Sequence, residues 1–376
     1  MHWQQVSNYY IGSDMKKMNI SREIFFEQSD TIRHLAYPIR DSLSYLLFLV
    51  FPALIYGCSS LETPVIKDSP EPAIDTSEGL SSKTRITINE DIESLDVFSF
   101  EDDLLQRLDS YQRFEKVQMT ESTYDIATRS GDKIMLMMAN STQSRYTWAD
   151  INCMKSMEKV RFSLENEQQD TPVMTGVHHI KAGGQVRSML TPLTGEVVIR
   201  SIECDFSGQS YSGEQMTDVK VYLTNVNASC GIWIDNETYP TRIINAGRLN
   251  ENDMKGFYDP EIICRELDRP LGTERIYPNI RLRAYPNNGK EESIGSPFTK
   301  LVIEGRICGR TWYYPIAVNR NVKEDYGLSR NRQYIYDISI RRTGLTDPDG
   351  TIELTSAEIH MEVKAWKEKD WYDIGF

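Results

Sequence analysis

The sequence predicts an all-β protein with minor helix, built as two β-sandwich domains in tandem. Three observations carry that expectation. Apolar and polar residues alternate with period two in successive runs downstream of Ile86. Those runs are rich in β-branched and aromatic side chains, and clusters of Gly, Asn, Asp and Pro punctuate them. At 376 residues the chain has room for two domains, at roughly 150 residues each. Apolar residues at 40% and aromatics at 10% suffice for real cores, which argues against wholesale disorder.

The chain opens on a segment unlike the rest. Residues 43–55 form an apolar run behind Arg33, His34 and Arg40. At about 13 residues it is too short to span a bilayer, which takes roughly 20, and has the length of a signal-peptide core. It ends at Ile55-Tyr56-Gly57-Cys58, which resembles the lipobox of bacterial lipoproteins: an aliphatic residue three positions before the cysteine and a small one next to it. The expectation is a leader with a lipoprotein signal over 1–57 and acylation of Cys58, palmitate included, so that lipid tethers the precursor to the membrane. Residues 58–85, with Pro64, Pro70 and Pro72, read as a tether or propeptide linker. It closes on Ser81-Ser82-Lys83-Thr84-Arg85, a polar stretch open to a trypsin-like protease.

Strands are expected at 86–88, 92–100, 133–139, 196–206, 218–226, 280–285, 300–306, 310–318 and 334–341. Trp148, Ile151, Met154, Met157 and Val160 recur every third residue and predict one amphipathic helix. The Ser- and Gly-rich stretch Ser207 to Gly213 predicts a boundary between a first domain at 86–206 and a second at 214–376. The last strand alternates over nine residues, with Ala357, Ile359, Met361, Val363 and Ala365 on one face and Glu358, His360, Glu362 and Lys364 on the other. Such a strand suits either the edge of its own domain or donation to a neighbouring subunit.

Composition and motifs narrow the chemistry. Net charge is −13; residues 1–57 carry five basic and five acidic side chains, so the body alone also sums to −13 (37 − 50). An acidic body argues against a nucleic-acid partner, whose phosphate backbone calls for a basic surface. The six cysteines include no CxxC pair and no neighbouring His at metal-ligand spacing, so scattered free or buried thiols are expected. His178 and His179 are adjacent, and in extended chain adjacent side chains point apart, against joint metal binding. Gly208-Gln209-Ser210-Tyr211-Ser212 lacks the final glycine of a nucleophile elbow, and Glu101-Asp102-Asp103 reads as a solvated hairpin tip. No catalytic residue, metal or cofactor is expected, and the chain does not read as an enzyme.

Several segments, taken in order, then carry a resemblance. They are Leu95-Asp96-Val97-Phe98-Ser99-Phe100, the Pro172-Val173-Met174-Thr175-Gly176 loop, and Trp312-Tyr313-Tyr314-Pro315-Ile316-Ala317-Val318-Asn319. After them come Arg330-Asn331-Arg332-Gln333-Tyr334-Ile335-Tyr336-Asp337-Ile338, Gly344, and the turn Asp347-Pro348-Asp349-Gly350. This pattern resembles the fimbrillin family of Bacteroidetes, the type V pilins, and is most similar to their major stalk subunits. The resemblance implies two transthyretin-like β-sandwiches and an exported lipoprotein precursor at the outer membrane. It also implies an arginine-specific protease that removes an N-terminal piece, opening a groove for a strand from a neighbouring subunit. Arg85 falls where that cut is expected, with Arg107 as the later alternative if 86–88 is the removed strand. The expected function is a structural subunit of a surface fimbria that polymerises with other fimbrial subunits, copies of itself among them, and supports cell adhesion. The alternative is a non-polymerising surface lipoprotein adhesin that binds glycan or host protein.

Overall fold

The computed structural model describes residues 82–116, 122–141, 148–233, 240–287, 297–320, 327–350 and 357–365. The leader, Cys58 and the tether as far as Ser81 lie outside them. The chain runs β1 (Ser82–Ile88), β2 (Ser94–Glu101), β3 (Leu108–Glu115), β4 (Thr123–Thr128), β5 (Asp132–Ala139), β6 (Arg161–Ser163), β7 (Met174–Lys181), β8 (Gln185–Ser188) and β9 (Thr191–Pro192). Then follow β10 (Gly195–Cys204), β11 (Thr217–Thr224), β12 (Val226–Asn227), β13 (Ser229–Gly231), β14 (Ile243–Ile244) and β15 (Cys264–Glu266). Last come β16 (Ile280–Ala284), β17 (Lys300–Ile307), β18 (Arg310–Ala317), β19 (Arg332–Ile340) and β20 (Ala357–Ala365).

Four sheets carry the architecture, in the orders β4-β1-β8, β3-β2-β5-β7-β9, β16-β10-β19-β20 and β15-β11-β17-β18. The second is apolar on both faces, and period-two geometry explains how. Leu95, Val97, Met135 and Met137 of β2 and β5 face a core shared with Ile86, Ile88, Tyr124 and Ile126 of the first sheet. Their neighbours Phe98, Phe100, Ile134, Leu136 and Met138 face the opposite way, into a larger core continuous with Val197, Ile199, Val221, Leu223, Leu301 and Ile303. A strand buried on both faces reads as an unbroken apolar run, as 133–139 does. Within β2 the interruption is Asp96, fully buried and satisfied by Tyr111 Oη and Arg113 Nη1 of β3, each at 2.7 Å, and by Ser141.

The expected all-β class holds, and three local expectations change. The stretch 148–160 is not an α-helix: only Met154–Lys159 is helical, as a 3-10 helix that buries Met157. Spacing of three is the period of that tighter helix, whose side chains eclipse every third residue. The Pro172–Gly176 loop gives way early, because Met174 already opens β7, opposite Ala139 of β5. The break at Ser207 to Gly213 does not divide the strands as expected. β10, assigned by the sequence to the first domain, pairs with β16 and β19, so Gly195–Cys204 belongs with the C-terminal strands. The Ser- and Gly-rich stretch is the turn that takes the chain from β10 to β11, in the next sheet. Composition alone does not distinguish such a turn from a linker.

Arg330, in the turn before β19, ties the two strand systems together. Its guanidinium donates to Pro192 O at 3.2 Å, to Thr191 O at 3.0 Å and Oγ1 at 2.8 Å, and to Thr175 Oγ1 at 2.9 Å. Burial lowers its pKa to about 10, which leaves it charged at neutral pH. Asn331 takes a left-handed φ of 55°, a conformation asparagine tolerates, and its N–H donates to Thr194 O. The Arg-Asn pair that marks the sequence pattern is therefore a structural clasp.

Candidate functional site

Two strands near opposite ends of the described chain form the candidate site for assembly. β1 is the middle strand of its sheet, antiparallel to β4 and parallel to β8. Its inward residues Thr84, Ile86 and Ile88 alternate with outward Lys83, Arg85 and Thr87. Ile86 is 0% and Ile88 1% exposed, and they fill a groove walled by Leu95, Val97, Tyr124, Ile126, Met135, Met137 and Leu190. Thr84 Oγ1 accepts from Gly183 N–H at 3.2 Å.

Arg85 therefore does not end a linker, as its sequence setting suggests. It sits mid-strand, its N–H donating to Gly184 O at 3.0 Å and its Nε to Asp125 Oδ1 at 2.9 Å. That pair holds the Asp125 carboxyl below its usual range. The polar pattern Ser-Lys-Thr-Arg conceals the strand because only one face is buried and a threonine occupies it. Arg107, the later alternative, lies exposed beside β3 at the end of the β2–β3 connection.

β20 lies antiparallel to β19 in unbroken register from Arg332↔Ala365 to Ile340↔Ala357. The strand expected as a donor thus completes a sheet of its own chain. Ile359, Met361 and Val363 pack, only partly buried, against the larger core, opposite Ile338, Tyr336 and Tyr334. Ala365, at the end of the same face, is exposed, and Ala357 lies at a position whose side chain is outside the described ones. On the wet face Glu362 accepts from Arg200 Nη1 at 3.1 Å, while Arg200 Nε bonds Asp337 Oδ1 at 3.1 Å. Arg200 holds the Asp337 carboxyl down to about 2. Among the described residues no strand pairs with the outer edge of β20. The edge of β18 differs: Tyr313 bridges Leu345, Tyr314 Oη donates to Arg342 O at 2.6 Å, and Gly344 approaches so closely that a Cβ would lie 2.3 Å from Tyr313 O. β20 is thus an edge strand whose second side has no ladder partner among the described residues.

The chemical candidates are dispersed. His178 Nε2 meets Ser188 Oγ and His179 Nδ1 meets Asp102 Oδ2, each at 2.9 Å, so the two rings serve different partners. Burial lowers the His178 pKa. No group of three or more His, Cys, Asp or Glu among the described residues could hold a metal ion. The five described cysteines are free thiols.

No protein-family model matches the chain, and no curated protein matches its sequence. Solved structures do match. A candidate cell adhesion protein from Bacteroides eggerthii superposes with a TM-score of 0.57 at 15% identity, over 77% of this chain and 97% of that one. A fimbrilin from Porphyromonas gingivalis does so with a TM-score of 0.52 at 14% identity, over 76% of this chain and 98% of that one. The chain has a fimbrillin-like fold. A second candidate cell adhesion protein, from Parabacteroides distasonis, shares the fimbrillin-like fold over 82% of this chain and 95% of its own, with a TM-score of 0.53 and 14% identity. At these identities the likeness rests on arrangement of strands and not on retained side chains, so it speaks to the fold.

Proposed function

We propose that this chain is a structural subunit of a surface fimbria, exported as a lipoprotein acylated at Cys58 and joined to its neighbours by β-strand exchange. The observation that carries the reading is the correspondence between β1 and β20. β1 fills a groove with two isoleucines two positions apart, and β20 presents Ile359, Met361 and Val363 at the same spacing from an edge. A β20 from a second subunit placed in the β1 groove would fully bury three large side chains, each stabilising by about 1.5–3 kcal/mol, and would regain ladder bonds to β4 and β8. The fimbrillin-like fold, shared with fimbrial and candidate adhesion proteins, supports a place at the cell surface.

An arginine-specific protease is the trigger that suits this arrangement. Cutting after Arg85 would remove Ser82–Arg85 and leave the groove-filling Ile86 and Ile88 on the chain, held by a three-residue remnant of β1 that an incoming strand would have to displace. Because Arg85 lies inside a ladder, the cut requires β1 to open first, so cleavage should be slow in the folded precursor. The test is to incubate the full chain with such a protease and follow both the new N-terminus and the appearance of ladders on a gel. Ladders that track the cut after Arg85 and vanish with Val363→Asp support exchange. Complete cleavage that yields monomer alone ends it. The docking of β20 on its own β19 favours one rival, a non-polymerising surface adhesin, and that outcome would select it. Cys58→Ala should abolish lipid labelling; unchanged fractionation into detergent would remove the anchor from the proposal.

A further inference from the structure

A cleft of about 580 Å³, within the size range of small-ligand sites, opens between Gln169 and the segment that joins β15 to β16. That segment is pinned on both sides of its bend: Met216 N–H donates to Leu271 O at 2.9 Å and Ile202 N–H to Ile276 O at 3.0 Å. Next to the second pin, Tyr277 stands 71% exposed at the cleft. Arg269 and Arg281 line the same space, exposed and without an ion-pair partner among the described residues. Arg265 also lines it; its outer end pairs with Glu261, yet its Nε is buried with no acceptor, as is the Gln169 Oε1 with no donor. Arg269 and Arg281 thus bring two guanidinium groups with no ion pair among the described residues to one cleft, beside the carboxylates of Asp170, Glu266 and Asp268.

These groups call for a particular ligand. Guanidinium forks match a carboxylate in bidentate geometry. The exposed phenol ring offers an apolar face on which a pyranose ring can stack, and Gln169, Asp170 and Asp268 offer acceptors for hydroxyl protons. Those same carboxylates disfavour a polyacidic peptide, whereas a sugar unit with one carboxylate and several hydroxyls uses both signs of charge. We propose that this cleft binds a carboxylate-bearing saccharide unit, a uronic or sialic acid residue within a surface glycan. The inference gives adhesion a ligand class. It rests on the surface location in the proposed function but not on polymerisation, so ladders on a gel and saccharide binding fail independently.

The test is titration calorimetry of the full chain with hyaluronan hexasaccharide and 3′-sialyllactose, against maltohexaose and lactose as neutral controls. Binding of at least one acidic saccharide is expected, weakening with added salt. Arg269→Ala, Arg281→Ala and Tyr277→Ala should each weaken it about tenfold or more, while Arg310→Ala, at the exposed start of β18, should leave it unchanged. All four side chains are exposed, so the variants should melt with the wild type. Equal affinity for the neutral sugars, no heat from either acidic one at millimolar concentration, or insensitivity to the three substitutions would each overturn the proposal. Full competition by a triglutamate peptide would reassign the cleft to acidic protein segments and overturn it as well.

Discussion

β1 and β20 are both alternating strands near an end of the described chain, yet the fold treats them differently. β1 is flanked by partners on both edges and sinks its isoleucines completely; β20 has one partner among the described residues and leaves Ile359, Met361 and Val363 half-buried. Alternation shows that a strand has an apolar face, but not how deeply that face is covered or how many neighbours share its ladder. β1, with the shorter and more polar sequence, is the better anchored. β20, with the cleaner pattern, has the most to gain from a deeper groove.

The sharpest way to break this comparison is to charge both faces. Ile86→Asp puts an unpaired carboxylate where no water reaches and should destabilise the isolated chain by about 4 kcal/mol or more. Val363→Asp, at a half-buried edge, should cost about 1–2 kcal/mol, because the side chain can turn toward solvent. Urea unfolding of the two variants measures the gap. Equal losses would make β20 an integral core strand, and strand exchange from it would be wrong.

How much of this was legible follows from where the signals lie. The apolar runs of β2, β5, β10 and β17 announce themselves because both faces or one whole face are buried. β3 and β4 do not: Leu108–Glu115 is half-exposed throughout, and its tie to β2 is the buried Asp96 cluster, which joins residues 15 and 17 positions apart in the chain. The Arg-Asn motif before β19 was visible as a pattern, but its clasp to β7 and β9 spans well over a hundred residues and only the fold reveals it. The cleft around Tyr277 was invisible for the same reason, since Gln169 and Arg281 meet only through tertiary packing.

The clasp offers the next test, because it sits between the two regions compared. Arg330→Ala leaves the Thr191 and Pro192 carbonyls without their donors and should cost about 2–4 kcal/mol. Arg330→Lys, with one compact ammonium in place of a planar fork, should recover only a fraction of it. Denaturant unfolding should remain a single transition, since Phe98 and Leu136 share one core with Val197 and Val221. Two transitions would mean that Arg330 alone couples the N-terminal sheets to the rest.

Protonation separates body and edge in opposite directions. Burial pushes Glu167 up to about 7, although Val173 N–H and Tyr285 Oη–H both bond the carboxylate. Its contribution to stability is complete below the unfolded value near 4.5 and is lost as pH rises through 7, by about 3 kcal/mol at most. Asp337, beneath β20, has the reverse sign: its contribution is present above the ordinary aspartate value and is lost as pH falls toward 2. Near pH 5 the body should therefore gain stability while the β20 edge keeps its charge pairing. Glu167→Gln should flatten the rise between pH 7 and 5; an unchanged slope would place the titrating group elsewhere.

The smallest effect concerns the wet face of β20. Arg200 spans from β10 over Asp337 of β19 to Glu362 of β20, and the Arg200–Glu362 link is its ion pair to the edge strand. Both ends of that link are solvated, so it is screened by salt and contributes little to the whole molecule. For the edge strand alone it matters more, since β20 has a single ladder and a half-buried face to hold it. Raising salt should speed hydrogen exchange at the β20 amides and leave those of β1 unchanged. Glu362→Lys, which faces Arg200 with a like charge, should mimic high salt already at low ionic strength, with no measurable change in global unfolding. If the β1 and β20 amides respond to salt alike, the edge strand opens only when the whole body does. A β20 that cannot detach on its own cannot serve as a donor.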